Sequence, residues 1–129
     1  WQHVLDPLFG YLKLAKKIFD NKRYNGPWNF GPNKKNNLKV KQLAIIGKKI
    51  FNSNSKILLK KKKFYESENL SLDSSKAKKY LNWITKLSDK EALNLTFNWY
   101  KNFYKISNKE SLIKLSLEQI KVFKNKHKI

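Results

Sequence analysis

The sequence predicts a mainly helical α+β unit, and three observations carry that prediction. Apolar residues recur at three- and four-residue spacing in several segments, as a helix with one buried stripe requires. Ser88-Asp89-Lys90-Glu91 is a capping box, in which serine and glutamate satisfy each other's backbone donors at a helix start. Trp28-Asn29-Phe30-Gly31 is short, aromatic and bounded by Pro27 and Pro32, which reads as a brief strand. With 129 residues, 40% of them hydrophobic, the chain can build one core, so residues 1–129 are expected to form a single compact unit.

Taken in order, Asp6-Pro7 opens the first helix, because aspartate accepts bonds from free N–H groups and proline at the first position lacks a donor that would be orphaned. That helix is expected over 7–19, burying Leu8, Tyr11, Leu12, Ala15, Ile18 and Phe19 and leaving Lys13, Lys16 and Lys17 in water. Residues 20–27 are rich in turn formers. Val40, Leu43, Ala44, Gly47, Ile50 and Phe51 repeat the helical spacing and end at Asn52-Ser53-Asn54-Ser55. Residues 56–59 read as extended and 69–72 as a strand, after which Asp73 caps a short helix with Ala77, Tyr80 and Leu81 inward. The capping-box helix turns Ala92, Leu93, Thr96, Phe97, Tyr100, Phe103 and Tyr104 to one side. Ser116-Leu117-Glu118-Gln119 repeats the box and is expected to begin a terminal helix with Ile120 and Phe123 inward. Aromatic residues on these stripes, Trp83, Phe97, Trp99 and Tyr100 among them, are expected to be core rather than a base-stacking platform.

The net charge of +20 invites a nucleic-acid reading, since a basic surface attracts phosphate. The kind of cation argues otherwise. All but one of the 29 basic residues are lysine, with Arg23 the exception, whereas arginine's planar fork suits bidentate phosphate and guanine contacts. The lysines travel with abundant asparagine, isoleucine and phenylalanine, all residues with A/T-rich codons, so genome base composition accounts for the set. No specific nucleic-acid partner is expected. Only Lys60-Lys61-Lys62-Lys63 forms a run, and such runs are ordinarily solvated. No apolar run approaches the ~18 residues a membrane helix needs, so no membrane partner is expected. Zero cysteines exclude disulfides and thiolate metal sites, and the two histidines, His3 and His127, stand far apart without acidic neighbours, so no metal is expected. A cytoplasmic location is the expectation.

Several phrases in the chain form a recognisable set. They are Trp1-Gln2-His3-Val4-Leu5-Asp6-Pro7-Leu8 with Gly10-Tyr11-Leu12, then Trp28-Asn29-Phe30-Gly31-Pro32, then Glu66, Leu70, Leu72-Asp73 and Ser75-Lys76-Ala77, and finally Trp99-Tyr100-Lys101 and Leu117-Glu118-Gln119-Ile120. In register, these resemble the C-terminal third of CDP-glucose 4,6-dehydratases, which are extended short-chain dehydrogenase/reductase enzymes. Beginning at Trp1 and lacking methionine, the chain reads as a piece of a longer protein. It departs from the family at Tyr65-Glu66-Ser67, where His-Glu-Ala is usual, at Asn82 before Trp83, where glycine is usual, and at Thr85 in place of a proline. Asn82 can still hold a left-handed turn at modest cost.

The resemblance implies that residues 1–129 are the C-terminal nucleotide-sugar-binding domain, with the Rossmann domain that holds NAD absent from this chain. It implies a lyase of polysaccharide-precursor synthesis that oxidises C4 of the sugar with NAD, eliminates water across C5 and C6, and returns the hydride to C6. That chemistry needs a glycine-rich loop and a Tyr-x-x-x-Lys pair. This chain has neither: glycine occurs only at 10, 26, 31 and 47, and no tyrosine has lysine four residues later. No catalytic or cofactor-binding residue is therefore assigned here, and the chain alone is expected to be inactive. The implied substrate contacts are Gln2, His3, Lys63 and Glu66. Lys63 falls about ten positions before Asp73, where relatives place a basic residue against the diphosphate, and lysine supplies charge without a fork. His3 is either a substrate contact or an ordinary strand residue at a domain junction. Glu66 either orients a loop or sugar or is a surface carboxylate. The implied partners are CDP-glucose or a related nucleotide-sugar, and a second copy in a homodimer of the full-length enzyme.

Overall fold

A computed structural model describes residues 1–32, 38–59 and 71–128. The described residues contain five α-helices: α1 (Leu5–Asp20), α2 (Val40–Phe51), α3 (Ser75–Leu81), α4 (Asp89–Phe103) and α5 (Lys109–His127), with a 3₁₀ turn at Lys22–Tyr24 after α1. The helical expectation is met. No strand occurs among the described residues, and the expected strand at Trp28–Gly31 has a physical substitute. The Phe30 carbonyl accepts from Gln2 Nε2 at 2.8 Å, the Gly31 N–H donates to Ser74 Oγ at 2.7 Å, and the Gly31 carbonyl accepts from Thr85 Oγ1 at 3.2 Å. Side chains thus satisfy the groups that a neighbouring strand would otherwise pair. Residues 53–59 and 71–74 form neither helix nor strand, and Asn69 and Leu70 lie outside the described residues.

α1 starts two residues before the expected point and is not capped by Asp6. Instead the Leu5 N–H donates to His3 Nδ1 at 3.3 Å, and the Asp6 N–H to the His3 carbonyl at 3.1 Å. Asp6 is buried, its Oδ1 accepting from the Lys86 N–H at 3.0 Å and its carbonyl from Trp83 Nε1 at 3.0 Å. The orientation of α1 is the larger correction. Leu8, Tyr11, Leu12, Ala15 and Phe19, expected inward, are exposed, and the packed side carries Asp6, Phe9, Gly10 and Leu14. Lys13, expected in water, reaches the Asn82 carbonyl at 3.1 Å. Polar side chains on that face bond to the loop around Asn82–Lys86, so the helix is held by hydrogen bonds and by the close approach of Gly10 to Phe30.

The remaining elements follow their local chemistry. α2 lies against α4, with Gly47 under the Phe97 ring and Phe51 edge-on to the same ring at 6.1 Å. Asp73 Oδ1 accepts from the Ser75 N–H at 2.9 Å at the start of α3, and Asn82 ends that helix in the left-handed conformation with φ 47°. Ser88 and Glu91 form the expected capping box of α4. α5 begins earlier than expected, because Asn108 caps it through the Ser111 N–H at 2.8 Å. Ser116 therefore sits mid-helix and donates to the Leu112 carbonyl at 2.9 Å, and Gln119 donates to the Leu95 carbonyl at 2.8 Å. Tyr80 and Ile120, expected inward, are exposed, while Ala77, Leu81 and Phe123 are buried.

Two apolar clusters make the core. Phe30, Ala77, Leu81 and Trp83 form one; Leu87, Ala92 and Phe123 form the other; Phe9 of α1 packs against both. Three of the four glycines are closely packed: a Cβ on Gly10 would stand 2.3 Å from Phe30 Cδ1, one on Gly31 2.7 Å from Leu72 Cβ, and one on Gly47 3.0 Å from Phe97 Cζ.

Candidate functional site

Gln2 and His3 lie where the chain enters α1, and α4 and α5 close over them. The space between is a groove of about 470 Å³, lined by Gln2 to Leu5, by Thr96, Trp99 and Tyr100 of α4, and by Ser116, Gln119 and Ile120 of α5. Its walls are held by internal bonds. Trp99 Nε1 donates to Ser116 Oγ at 3.0 Å, and the indole stacks on Phe103 with centroids 5.2 Å apart. The serine at the expected second capping box thus orients a wall of the groove.

The Nδ1 nitrogen of His3 has a backbone donor. His3 is buried, its Nδ1 accepts from the Leu5 N–H, and Gln119 bonds to the ring as well. A ring that accepts at Nδ1 carries its proton at Nε2 when neutral. Burial pushes its pKa below the ordinary value, against a smaller opposing effect of the Gln119 bond, so His3 is neutral at pH 7. Gln2 donates to the Phe30 carbonyl, and its buried Oε1 has no partner among the described residues. Among the described residues no charged side chain lines this groove, although the chain carries +20. Such a surface suits an uncharged ring or an apolar group and offers nothing to neutralise a phosphate.

A second groove of about 490 Å³ gathers residues from three distant stretches: Gly31 and Pro32, Leu72 to Ser75 with Lys78, and Trp83 to Thr85. Its backbone is fixed by the Ser74 and Thr85 bonds to Gly31. Lys78 gives it a cation and Asp73 an acceptor. Ser74, Lys78 and Thr85 are not among the substrate contacts expected from the sequence, where Thr85 stands out only as a departure from the family. Ser74 and Lys78 stand near Asp73 in the sequence, whereas Thr85 reaches the groove only through its bond to the distant Gly31 carbonyl. Lys63 and Glu66 lie outside the described residues, so the structure brings together Gln2 and His3 but does not relate them to the other two.

The glycines offer no seat for a dinucleotide. Gly10 and Gly47 are covered by the rings of Phe30 and Phe97, Gly31 by Leu72, and Gly26 is an isolated turn residue with φ 114°. A phosphate-binding loop needs glycines clustered at a strand-to-helix turn with backbone N–H groups turned outward, which this arrangement lacks. No cluster of three or more metal-ligating side chains occurs among the described residues.

Residues of the recognised phrases line both grooves, Gln2, His3, Trp99 and Tyr100 the first and Gly31, Pro32, Leu72 and Asp73 the second. This chain is similar to a CDP-glucose 4,6-dehydratase. The relative is that of Salmonella typhimurium, 30% identical over 103 residues, which are 78% of this chain. The chain spans 29% of the length of that relative. No family model matches it. The similarity expected from the opening octet and the Trp99-Tyr100-Lys101 phrase is therefore found, and the matched residues align with part of that dehydratase. No helix among the described residues is long and apolar enough to cross a membrane.

Proposed function

We propose that this chain is the nucleotide-sugar-binding part of an NAD-dependent CDP-glucose 4,6-dehydratase, a lyase converting CDP-glucose to its 4-keto-6-deoxy product. The observation that carries the reading is the 30% identity to a dehydratase of that name across 78% of the chain. The redox and elimination chemistry belongs to polypeptide outside this chain, since the glycines here serve packing and no Tyr-x-x-x-Lys pair exists. NAD is accordingly the cofactor of the whole enzyme and not of these residues. A homodimer in the cytoplasm completes the proposal.

The electrostatics of the grooves support a division of the substrate. Gln2 and His3 line an uncharged groove and would meet a neutral part of the nucleotide-sugar, while Lys63 is the proposed counter-charge to the diphosphate and Glu66 the proposed acceptor for a sugar hydroxyl. Tyr65 and Ser67, where the family has histidine and alanine, favour keeping a second reading, another nucleotide-sugar dehydratase or epimerase of the same class.

The test is calorimetry on the complete protein with CDP-, UDP- and GDP-glucose, beside turnover assays of the complete protein and of this chain alone. Tighter binding of CDP-glucose, with turnover only by the complete protein, is expected. Equal affinity for the three sinks the CDP assignment, and no binding of any sinks the class.

A further inference from the structure

The apolar stripe of α1 faces away from the core. Val4, Leu8, Leu12, Ala15 and Phe19 recur at three- and four-residue intervals and share one face, with Leu12 70% and Phe19 93% exposed. At 1.5 Å per residue the stripe runs for about 22 Å. The opposite face is the one that packs, through Asp6, Gly10 and Lys13. Single exposed apolar side chains are ordinary, but a stripe this long on one helix is the mark of an interaction surface.

The stripe continues into the uncharged groove, because Val4 belongs to both. That groove holds a second sign of missing neighbours, the buried Gln2 Oε1 with no partner among the described residues. A second copy of this chain fits poorly, since two bodies of +20 repel and lysines flank the helix. The dehydratase relative offers a better match, as this chain accounts for only 29% of its length. We infer that the α1 stripe and the adjoining groove at Val4 are a docking face for polypeptide equivalent to the remainder of that dehydratase. The inference rests on the dehydratase reading. It explains why the polar face of α1 packs here: the helix lies between two layers, of which this chain supplies one.

The absence of cysteine from the sequence makes the test direct. Leu12→Cys, Phe19→Cys and the smaller change Ala15→Cys each place one thiol on the stripe, with exposed Lys114→Cys on α5 as control. In the complete protein as isolated from its gene, maleimide should label the stripe thiols at least ~10-fold more slowly than the control, as burial requires. A short thiol-to-amine cross-linker at position 12 should join a peptide that aligns with the part of the dehydratase this chain does not cover. Equal labelling rates overturn the inference. So do cross-links solely to α1 of a second copy, or protection that arises only with anionic vesicles. CDP-glucose binding by the same samples separates the two ideas. Free stripe thiols in a protein that binds CDP-glucose defeat the docking face alone; protected thiols without binding defeat the substrate reading alone.

Discussion

The indole N–H of Trp83 donates to the backbone carbonyl of Asp6 at 3.0 Å, joining residues 77 positions apart inside the core. Trp83 is only 2% exposed and its ring meets Phe30 edge-on with centroids 5.1 Å apart. The bond also positions Asp6 so that Oδ1 reaches the Lys86 N–H. Trp83→Phe keeps most of the apolar contact and removes only the second bond to a carbonyl that α1 also uses, which should cost about 0.5–1.5 kcal/mol. Trp83→Ala adds a cavity and should cost about 3–5 kcal/mol. Urea unfolding followed by circular dichroism ranks the two, and equal losses would contradict the importance of the hydrogen bond.

Asp6 tests whether that corner needs a charge or only an acceptor. Burial pushes its pKa above the ordinary value, with the Lys86 and Leu87 backbone bonds and Lys126 opposing more weakly. A raised carboxylate pKa means the folded state prefers the proton, so the buried charge detracts from stability above the folded pKa and the penalty fades as pH falls toward 3.8. Asp6→Asn retains an acceptor for the Lys86 N–H without the charge and should be neutral or stabilising. Asp6→Ala leaves that N–H unpartnered and should cost about 1–3 kcal/mol. Thermal melts of both variants at pH 7 decide it.

How far the sequence could foresee these relationships depends on whether the cause was local. The α4 capping box is set by residues within one turn and follows from the sequence alone, and the left-handed Asn82 follows from the resemblance, which places a glycine there. The orientation of α1 does not. Its apolar stripe is plain in the sequence, but which side of a helix packs is decided by partners such as Asn82 and Lys86, some seventy to eighty residues away. Ser116 misleads for a different, local reason: its box pattern is real, yet Asn108 caps the same helix earlier through the Ser111 N–H. At the candidate site, the opening phrase singles out Gln2 and His3 and both line the first groove, whereas Ser74 and Thr85 matter through the Gly31 backbone they bond.

Gly10 should tolerate no side chain while Phe30 stays. The Cβ of an alanine would stand 2.3 Å from Phe30 Cδ1, well inside contact distance, and the ring is packed against Trp83 and Tyr11. Gly10→Ala should therefore cost about 1–3 kcal/mol as overpacking, despite alanine's better helix propensity. Combined with Phe30→Leu, it should cost less than the sum of the single changes, because the clash is removed. Additive losses in the double-mutant cycle would show that the contact is not the cause.

Acid should loosen the junction of α1 and α5 through His127. Its ring packs on Phe9 and Phe123, with centroids 4.3 Å away in each case, and its pKa is lowered to about 4 by burial first and then by Lys86 and Lys13. A histidine whose folded pKa lies below the unfolded value of 6.5 binds its proton more readily when unfolded, so the contribution is complete above 6.5 and is lost as pH falls toward about 4. His3, lowered for the same leading reason, adds in the same direction. Asp6 opposes them only in the carboxylate range, and Glu91, held at about 2 by Lys126 and Ser88, stays charged throughout the window. The melting temperature should decline from pH 6.5 to 4.5, and His127→Phe should flatten that decline by removing the proton acceptor between the two rings. A variant with the same slope as the parent would assign the acid sensitivity to His3 instead, and His3→Gln, which keeps an acceptor for the Leu5 N–H, would then have to flatten it.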